Sequence, residues 1–181
     1  MNFVKTLLSL SLLSGILFFE NSCTKIPDPL SPEETLAQQL SAVDKTQLDI
    51  DLQIIDDSLF LWGITPLIET HGVRYTIDSL GAGIKPALNN IIDIKYAGLL
   101  LKDGQNGTPF DQSESLVYFL ADLIVGIKTT LTHVPQGSKA TLYIPSGYAY
   151  GTNEIRDQNT GSIIIPKNSN LIFRIKLTDV R

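Results

Sequence analysis

The sequence predicts an α+β fold in which a largely antiparallel sheet of about five strands surrounds one short helix, preceded by a helical arm. Three observations lead to this prediction. Apolar residues recur every three or four positions before Gly63, alternate every second position after Gly72, and return to helical spacing between Leu123 and Leu131. Because strands dominate and one helix falls among them, the pattern favours α+β over a regular alternation of strands and helices.

The composition indicates a globular, slightly acidic protein. Of the 181 residues, 43% are hydrophobic, and the formal net charge is −5. This is too apolar for a disordered chain, and no run of Lys and Arg offers the basic surface that nucleic acid requires, so no nucleic-acid partner is expected. His71 and His133 have no close cluster of carboxylates. The sequence therefore predicts neither a metal site nor another cofactor.

Residues 1–22 have the pattern of an export signal. Lys5 precedes an apolar stretch from Leu7 to Phe19, which is interrupted only by serines and one glycine. That stretch is shorter than the roughly 20 residues that a membrane-spanning helix needs. It fits the apolar segment of a cleaved signal peptide, so residues 1–22 are predicted as a signal peptide.

Cys23, the only cysteine, follows this segment directly and rules out an intrachain disulfide. The arrangement resembles a bacterial lipoprotein signal, with Cys23 as the lipid-modified first residue of the mature chain. Glu20 stands where such signals usually carry an aliphatic residue, so an ordinary signal followed by a free thiol remains the alternative. The lipoprotein interpretation implies a membrane anchor on the periplasmic side of a Gram-negative envelope, with residues 23–30 as a proline-containing tether.

A helical arm is predicted over residues 31–66. Ser31 and Glu34 can form a capping box at a helix start. Asp44 offers a second start, so one helix or two fit the pattern, and Gly63 suits the end of the arm. The arm can pack on its own domain or pair with a second copy as a homodimer. The domain that follows is expected to fold without it.

Strand-like segments and turns make up the remainder of the chain. The predicted strands cover residues 73–80, 92–96, 117–119, 140–144 and 171–180. The segment Gly81-Ala82-Gly83 is predicted as a hairpin turn after the first strand. Residues 123–131 form the predicted short helix.

A series of motifs, more than any single signature, points to a function. No phosphate loop, dinucleotide glycine fingerprint, zinc-protease motif or serine-nucleophile elbow occurs. Instead the chain carries, in order, Ile94–Gly98, Asp103-Gly104, Pro109–Asp111, Gly137–Pro145, Gly147–Gly151, Ile163–Pro166 and Asn170–Phe173. In this order, over residues 72–181, the chain resembles the FKBP-type peptidyl-prolyl cis-trans isomerases.

The resemblance implies a twisted antiparallel sheet on a short helix, and isomerisation of X–Pro bonds without a cofactor. It also implies proline-containing polypeptide clients among exported or envelope proteins, and macrolide inhibitors as further ligands. A binding module or chaperone that keeps the fold but has little turnover is the alternative.

By the same resemblance, a pocket lies between helix and sheet. The implied catalytic residues are Tyr96, Phe110, Asp111, Ile124, Tyr150 and Phe173. The implied substrate-binding residues are Val117, Leu123, Ile127, Ile164 and Ile165. Ile127 stands where many members carry a tryptophan as the pocket floor, and Val117 where many carry a phenylalanine. Both departures imply a less aromatic pocket.

Overall fold

A computed structural model describes residues 28–181 of the chain. The predicted signal peptide, Cys23 and most of the tether lie outside the described residues. Within residues 28–181, no helix is both long and apolar enough to cross a membrane.

The helical arm consists of two helices, α1 (Pro32–Ser41) and α2 (Lys45–Leu61). The capping box predicted at the start of α1 is present: the Glu34 N–H donates to the Ser31 hydroxyl, and the Ser31 N–H donates to the Glu34 carboxylate at 2.8 Å. Asp44 caps α2 by accepting from two backbone N–H groups of its first turn. Both predicted helix starts are therefore real, which decides between one helix and two.

Six strands form the main sheet. They are β1 (Leu67–Ile68), β2 (Arg74–Ser79), β3 (Ile91–Leu100), β4 (Asp111–Phe119), β5 (Lys139–Ile144) and β8 (Leu171–Val180), in the order β1-β2-β5-β8-β3-β4 with every neighbouring pair antiparallel. Strands β6 (Ile155–Arg156) and β7 (Ile163–Ile165) form a separate two-stranded sheet. A short helix, α3 (Val125–Leu131), packs on β5. The predicted α+β class and the antiparallel sheet are confirmed.

Two local predictions differ from the structure. The segment Gly81-Ala82-Gly83 is not a hairpin turn, because β2 pairs with β5 and not with β3. Gly81 is needed for a different reason: a Cβ there would collide with the backbone carbonyl of Gln136. Strand β4 begins at Asp111, not at residue 117, and runs through a polar stretch that suits an edge strand.

The sheet buries apolar side chains on both faces. Along β8, Leu171, Phe173 and Ile175 face the α3 side, whereas Ile172 between them belongs to a second cluster on the opposite face. This second cluster includes Tyr143 of β5. Alternation along one strand therefore supplies two cores, as the period of two dictates.

Helix α2 covers the second face. Its side chains Ile55 and Leu59 are fully buried against Tyr143 and Ile172, and Trp62 packs on the Tyr143 ring with centroids 6.4 Å apart. The arm therefore packs on its own domain. These buried contacts argue against the expectation that the domain folds without the arm, because its removal would expose this apolar face.

Helix α1 is attached to α3 by a buried lysine. The Lys128 ammonium donates to the Gln39 side chain at 2.6 Å and to the Ala121 carbonyl at 2.9 Å. Burial lowers the pKa of the Lys128 ammonium. Both helices of the arm thus contact the domain that follows them.

We predict that Leu59→Ala destabilises the whole protein by about 2–5 kcal/mol, because it leaves a cavity between α2 and the sheet. The matched control is Leu80→Ala, since Leu80 is 73% exposed and its truncation should change stability by less than about 0.5 kcal/mol. Urea unfolding of both variants measures the difference. Equal effects would contradict the packing of the arm on the sheet.

Candidate active site

Tyr96 of β3 and Asp111 of β4 form a buried pair on the face of the sheet that packs against α3. The Tyr96 hydroxyl donates to the Asp111 carboxylate at 2.7 Å. Burial, followed by this hydrogen bond, raises the pKa of the Tyr96 phenol far above its ordinary value. The phenol therefore stays protonated, and its position is held by a charge-assisted hydrogen bond.

Three rings form what we call the aromatic cluster: Tyr96, Phe110 and Phe173. Phe110 meets Phe173 edge to face with centroids 5.9 Å apart at 81°, and Tyr96 lies 6.2 Å from Phe173. Gly98 makes this packing feasible, because an added Cβ would lie 2.7 Å from the Phe110 ring and 3.1 Å from that of Phe173. Gly98 ends the motif Ile94–Gly98, but its role follows only from the register of β3 with β8, in which it pairs with Phe173.

The start of α3 forms the next wall. Ile124 is the residue that caps the helix, so its backbone N–H is not used in the hydrogen bonds of the helix itself. Ile127 and Leu123 are buried in the same core as the aromatic cluster. Gly126 allows α3 to lie directly on β5, because a Cβ there would collide with Ile144.

Tyr150 lies in the loop that follows β5. Its hydroxyl oxygen is buried and has no hydrogen-bond partner among residues 28–181. Burial, with a smaller effect of the Asp111 charge, raises the pKa of the Tyr150 phenol well above its ordinary value. The site therefore holds a neutral donor near a carboxylate, and this donor has no acceptor within the described part of the chain.

The small sheet contributes the last members of the site. Ile165 is buried in the core, and Ile164 packs against it from a half-buried position. Ile165 pairs with Ile155 across the β6–β7 ribbon. The structure thus brings ten of the eleven sequence-predicted residues into one core region.

Val117 is the exception, and its prediction is corrected by the strand register. It pairs with Asp93, whose side chain points away from α3, and it is 47% exposed. The neighbours Leu116 and Tyr118 pair with Ile94 and Ile92, which face α3. A shift of one residue reverses the face of a strand, so Val117 does not line the pocket.

The geometry can bind and orient a ligand but offers no group for bond cleavage. Aromatic and aliphatic side chains share one core with Tyr150 and Ile124, and no described side chain caps the start of α3. In the described part of the chain, no three His, Cys, Asp or Glu side chains are grouped to hold a metal ion.

A family model described as FKBP-type peptidyl-prolyl cis-trans isomerase matches residues 83–178. The chain belongs to this family. As an FKBP-type protein it shares the fold of the solved peptidyl-prolyl cis-trans isomerase from Pseudomonas syringae pv. tomato, with a TM-score of 0.61, 28% identity, and coverage of 75% of this chain and 94% of that one.

Curated relatives support the same family membership. FkpA of Buchnera aphidicola subsp. Schizaphis graminum is 36% identical over 117 residues, which cover 62% of this chain and 42% of that protein. FK506-binding protein 1 of Gibberella zeae is 35% identical, covering 60% of this FKBP-type chain and 98% of that protein. Outer membrane protein MIP of Legionella longbeachae is 31% identical, covering 61% of this chain and 45% of that protein. The FkpA and MIP relatives are thus matched over less than half of their length.

Proposed function

We propose that the protein is a peptidyl-prolyl cis-trans isomerase that assists the folding of exported or envelope proteins. The observation that carries the proposal is the buried Tyr150 hydroxyl without a partner among residues 28–181. An unsatisfied buried donor costs about 1–3 kcal/mol. A carbonyl of a bound proline-containing polypeptide would supply the missing acceptor.

The proposed reaction is rotation about an X–Pro amide, with a barrier of about 18–20 kcal/mol. No bond to carbon breaks, so the chemistry needs neither a nucleophile nor a proton donor of unusual strength. At the transition state the amide is twisted and its nitrogen has lost conjugation. The catalyst must therefore bind the twisted form more tightly than either planar isomer.

We assign the roles as follows. Phe110, Phe173 and Ile127 hold the proline ring and keep water from the amide, whose planar form water stabilises. The Tyr150 hydroxyl and the Ile124 N–H donate to substrate carbonyls. Asp111 holds the Tyr96 ring in place, which supports one wall of the pocket.

We predict that Tyr150→Phe lowers kcat/KM by about twofold to tenfold, since one hydrogen bond to the twisted amide is lost. Stability should be unchanged or higher, because the removed hydroxyl has no partner among residues 28–181. The measurements are a prolyl-isomerisation assay with a Phe-Pro peptide and urea unfolding, on the full chain in detergent. Tyr143→Phe, on the opposite face of the sheet, is the matched control. Full activity of Tyr150→Phe would remove Tyr150 from the proposed mechanism.

The second candidate is a binding module or chaperone of the same fold with little turnover. The observation that favours it is Ile127, a fully buried aliphatic residue at the position where the resemblance implies an aromatic pocket floor. In the same assay, a wild-type rate at background with micromolar protein would favour the binding module. If Ile127→Trp folds and remains inactive, the missing indole is excluded as the cause of the low rate.

Macrolide inhibitors are proposed as further ligands of the same pocket. A relative named FK506-binding protein 1 matches over nearly its full length, which supports this extension. Phe110, Ile124 and Tyr150 are half-buried, so such a ligand could contact them. Competition between FK506 and the Phe-Pro peptide in the isomerisation assay tests this. Unchanged turnover at saturating FK506 would argue against it.

The proposed location is the periplasmic side of a Gram-negative envelope, with residues 1–22 as signal peptide and lipid on Cys23. A relative named as an outer membrane protein supports an envelope location. Residues 23–30 would then tether the folded part, with 31–66 as arm and 72–181 as isomerase domain.

We predict that Cys23→Ser moves the full chain from the membrane pellet to the soluble periplasmic fraction, because the acyl chains that give stable anchoring are lost. Fractionation of a Gram-negative host that expresses the parent and the variant measures this. A variant that stays in the pellet like its parent would contradict the anchor, and a soluble parent would favour an ordinary cleaved signal.

We also propose a homodimer through the arm. The outer side of α2 leaves Ile50, Ile54 and Leu61 exposed, and Phe60 is 84% exposed. Such a run of apolar side chains is unusual on a monomer surface. We predict that sedimentation velocity detects a dimer that Phe60→Ser weakens, with Leu80→Ser as the control. A monomer at all concentrations would contradict the dimer.

A further inference from the structure

The arm carries a buried carboxylate that is far in sequence from the site residues. Asp51 of α2 is 1% exposed. One carboxylate oxygen accepts from the Ser146 N–H at 2.9 Å and from the Ser146 hydroxyl at 2.5 Å, and the other accepts from the Gln47 side chain at 2.9 Å. All three donors are neutral. Because burying a charge is costly unless it is well bonded, this arrangement ties α2 firmly to Ser146.

Ser146 in turn organises the loop that carries Tyr150. Its carbonyl accepts from the Ala149 N–H at 3.0 Å and from the Gly151 N–H at 2.8 Å, on either side of Tyr150. The Ser146 hydroxyl donates to Asp51, its N–H is shared between Asp51 and the Asn170 side chain at 3.0 Å, and its carbonyl folds the loop. One residue therefore transmits the position of the arm to the tyrosine backbone.

The arm contacts the same loop at one further point and is linked to it at another through Asn168. Val43, between α1 and α2, packs closely on Gly147. A Cβ added to Gly147 would lie 2.8 Å from the Val43 side chain. Gln47 accepts from the Asn168 side chain at 3.4 Å, and the Asn168 N–H donates to the Gly151 carbonyl at 2.7 Å. The arm therefore holds both ends of the segment from Ser146 to Gly151.

We propose that Asp51 is a positioning residue for the isomerase site, and that the arm belongs to the catalytic unit. The proposal rests on the proposed function of Tyr150. The Tyr150 hydroxyl has no partner among the described residues, so no hydrogen bond of its own directs it in the free protein. Its direction comes from the ring packing and from the loop backbone, which Asp51 holds through Ser146.

The test is a double-mutant cycle in the full chain, in detergent. Asp51→Ala is expected to lower kcat/KM by about twofold to tenfold, a loss comparable with that of Tyr150→Phe. In the Tyr150→Phe background the same change should have little further effect, because contributions through a shared group are not additive. Asp51→Asn keeps one acceptor oxygen and should restore most of the activity. Asp49→Ala, an exposed carboxylate on the same helix, should change neither background.

Equal losses in both backgrounds would overturn the proposal, because a purely structural residue adds independently to Tyr150→Phe. Full activity of folded Asp51→Ala would overturn it as well. If Asp51→Ala does not fold, Ser146→Ala takes its place in the cycle, since it removes only the hydroxyl bond to Asp51.

A second readout separates this proposal from the proposed activity. With 3-fluorotyrosine in the protein, the ¹⁹F resonance of Tyr150 is assigned by its loss in Tyr150→Phe. It should shift or broaden in Asp51→Ala and not in Asp49→Ala. An inactive wild type with this shift would reject the isomerase function and keep the positioning role, whereas an unmoved resonance would reject the positioning role.

Discussion

The pairing of β8 with both β3 and β5 is the constraint on which the rest of the structure depends. It sets Phe173 between Gly98 of β3 and Leu142 of β5. The aromatic ring can then lie over a glycine and meet Phe110 at its edge. The preceding residue of β8, Ile172, points to the other face, where it packs against α2. One strand thus provides the wall of the site and the surface on which the arm packs, because its side chains alternate between the two.

The hydroxyl groups of the two site tyrosines differ in their hydrogen bonding. Tyr96 is satisfied internally by Asp111, which makes it part of the wall. The Tyr150 hydroxyl is also buried but has no acceptor in the described part of the chain, and so carries the cost of an unmade bond. A fold selected for stability alone has no reason to keep that hydroxyl. The contrast supports our proposal that Tyr150 binds a ligand, whereas Tyr96 packs within the wall.

Sequence reasoning succeeded where structure is local and failed where it depends on register. The capping box at Ser31 and the final strand at residues 171–180 follow from neighbours in the chain. The resemblance places Val117 in the pocket, but the β3–β4 pairing shifts register between Ile94 and Tyr96, which puts Val117 on the opposite face. The polar start of β4 was missed for a related reason, since an edge strand needs apolar residues on one face only. The Gly81 turn was misassigned because its partner, Gln136, lies far along the chain.

The packing of the arm also depends on residues distant in sequence, but here the sequence contains a signal that indicates it. Its buried face runs through Leu48, Asp51, Ile55 and Leu59, so a carboxylate stands at a position where helical spacing calls for an apolar side chain. Periodicity alone favours its neighbour Leu52, which is half-buried. A charge inside an apolar stripe has to be matched by donors from elsewhere in the fold, and here they come from Ser146, 95 positions away. The charged residue within the apolar stripe therefore marks the position at which α2, besides packing on the sheet, also holds the loop that carries Tyr150.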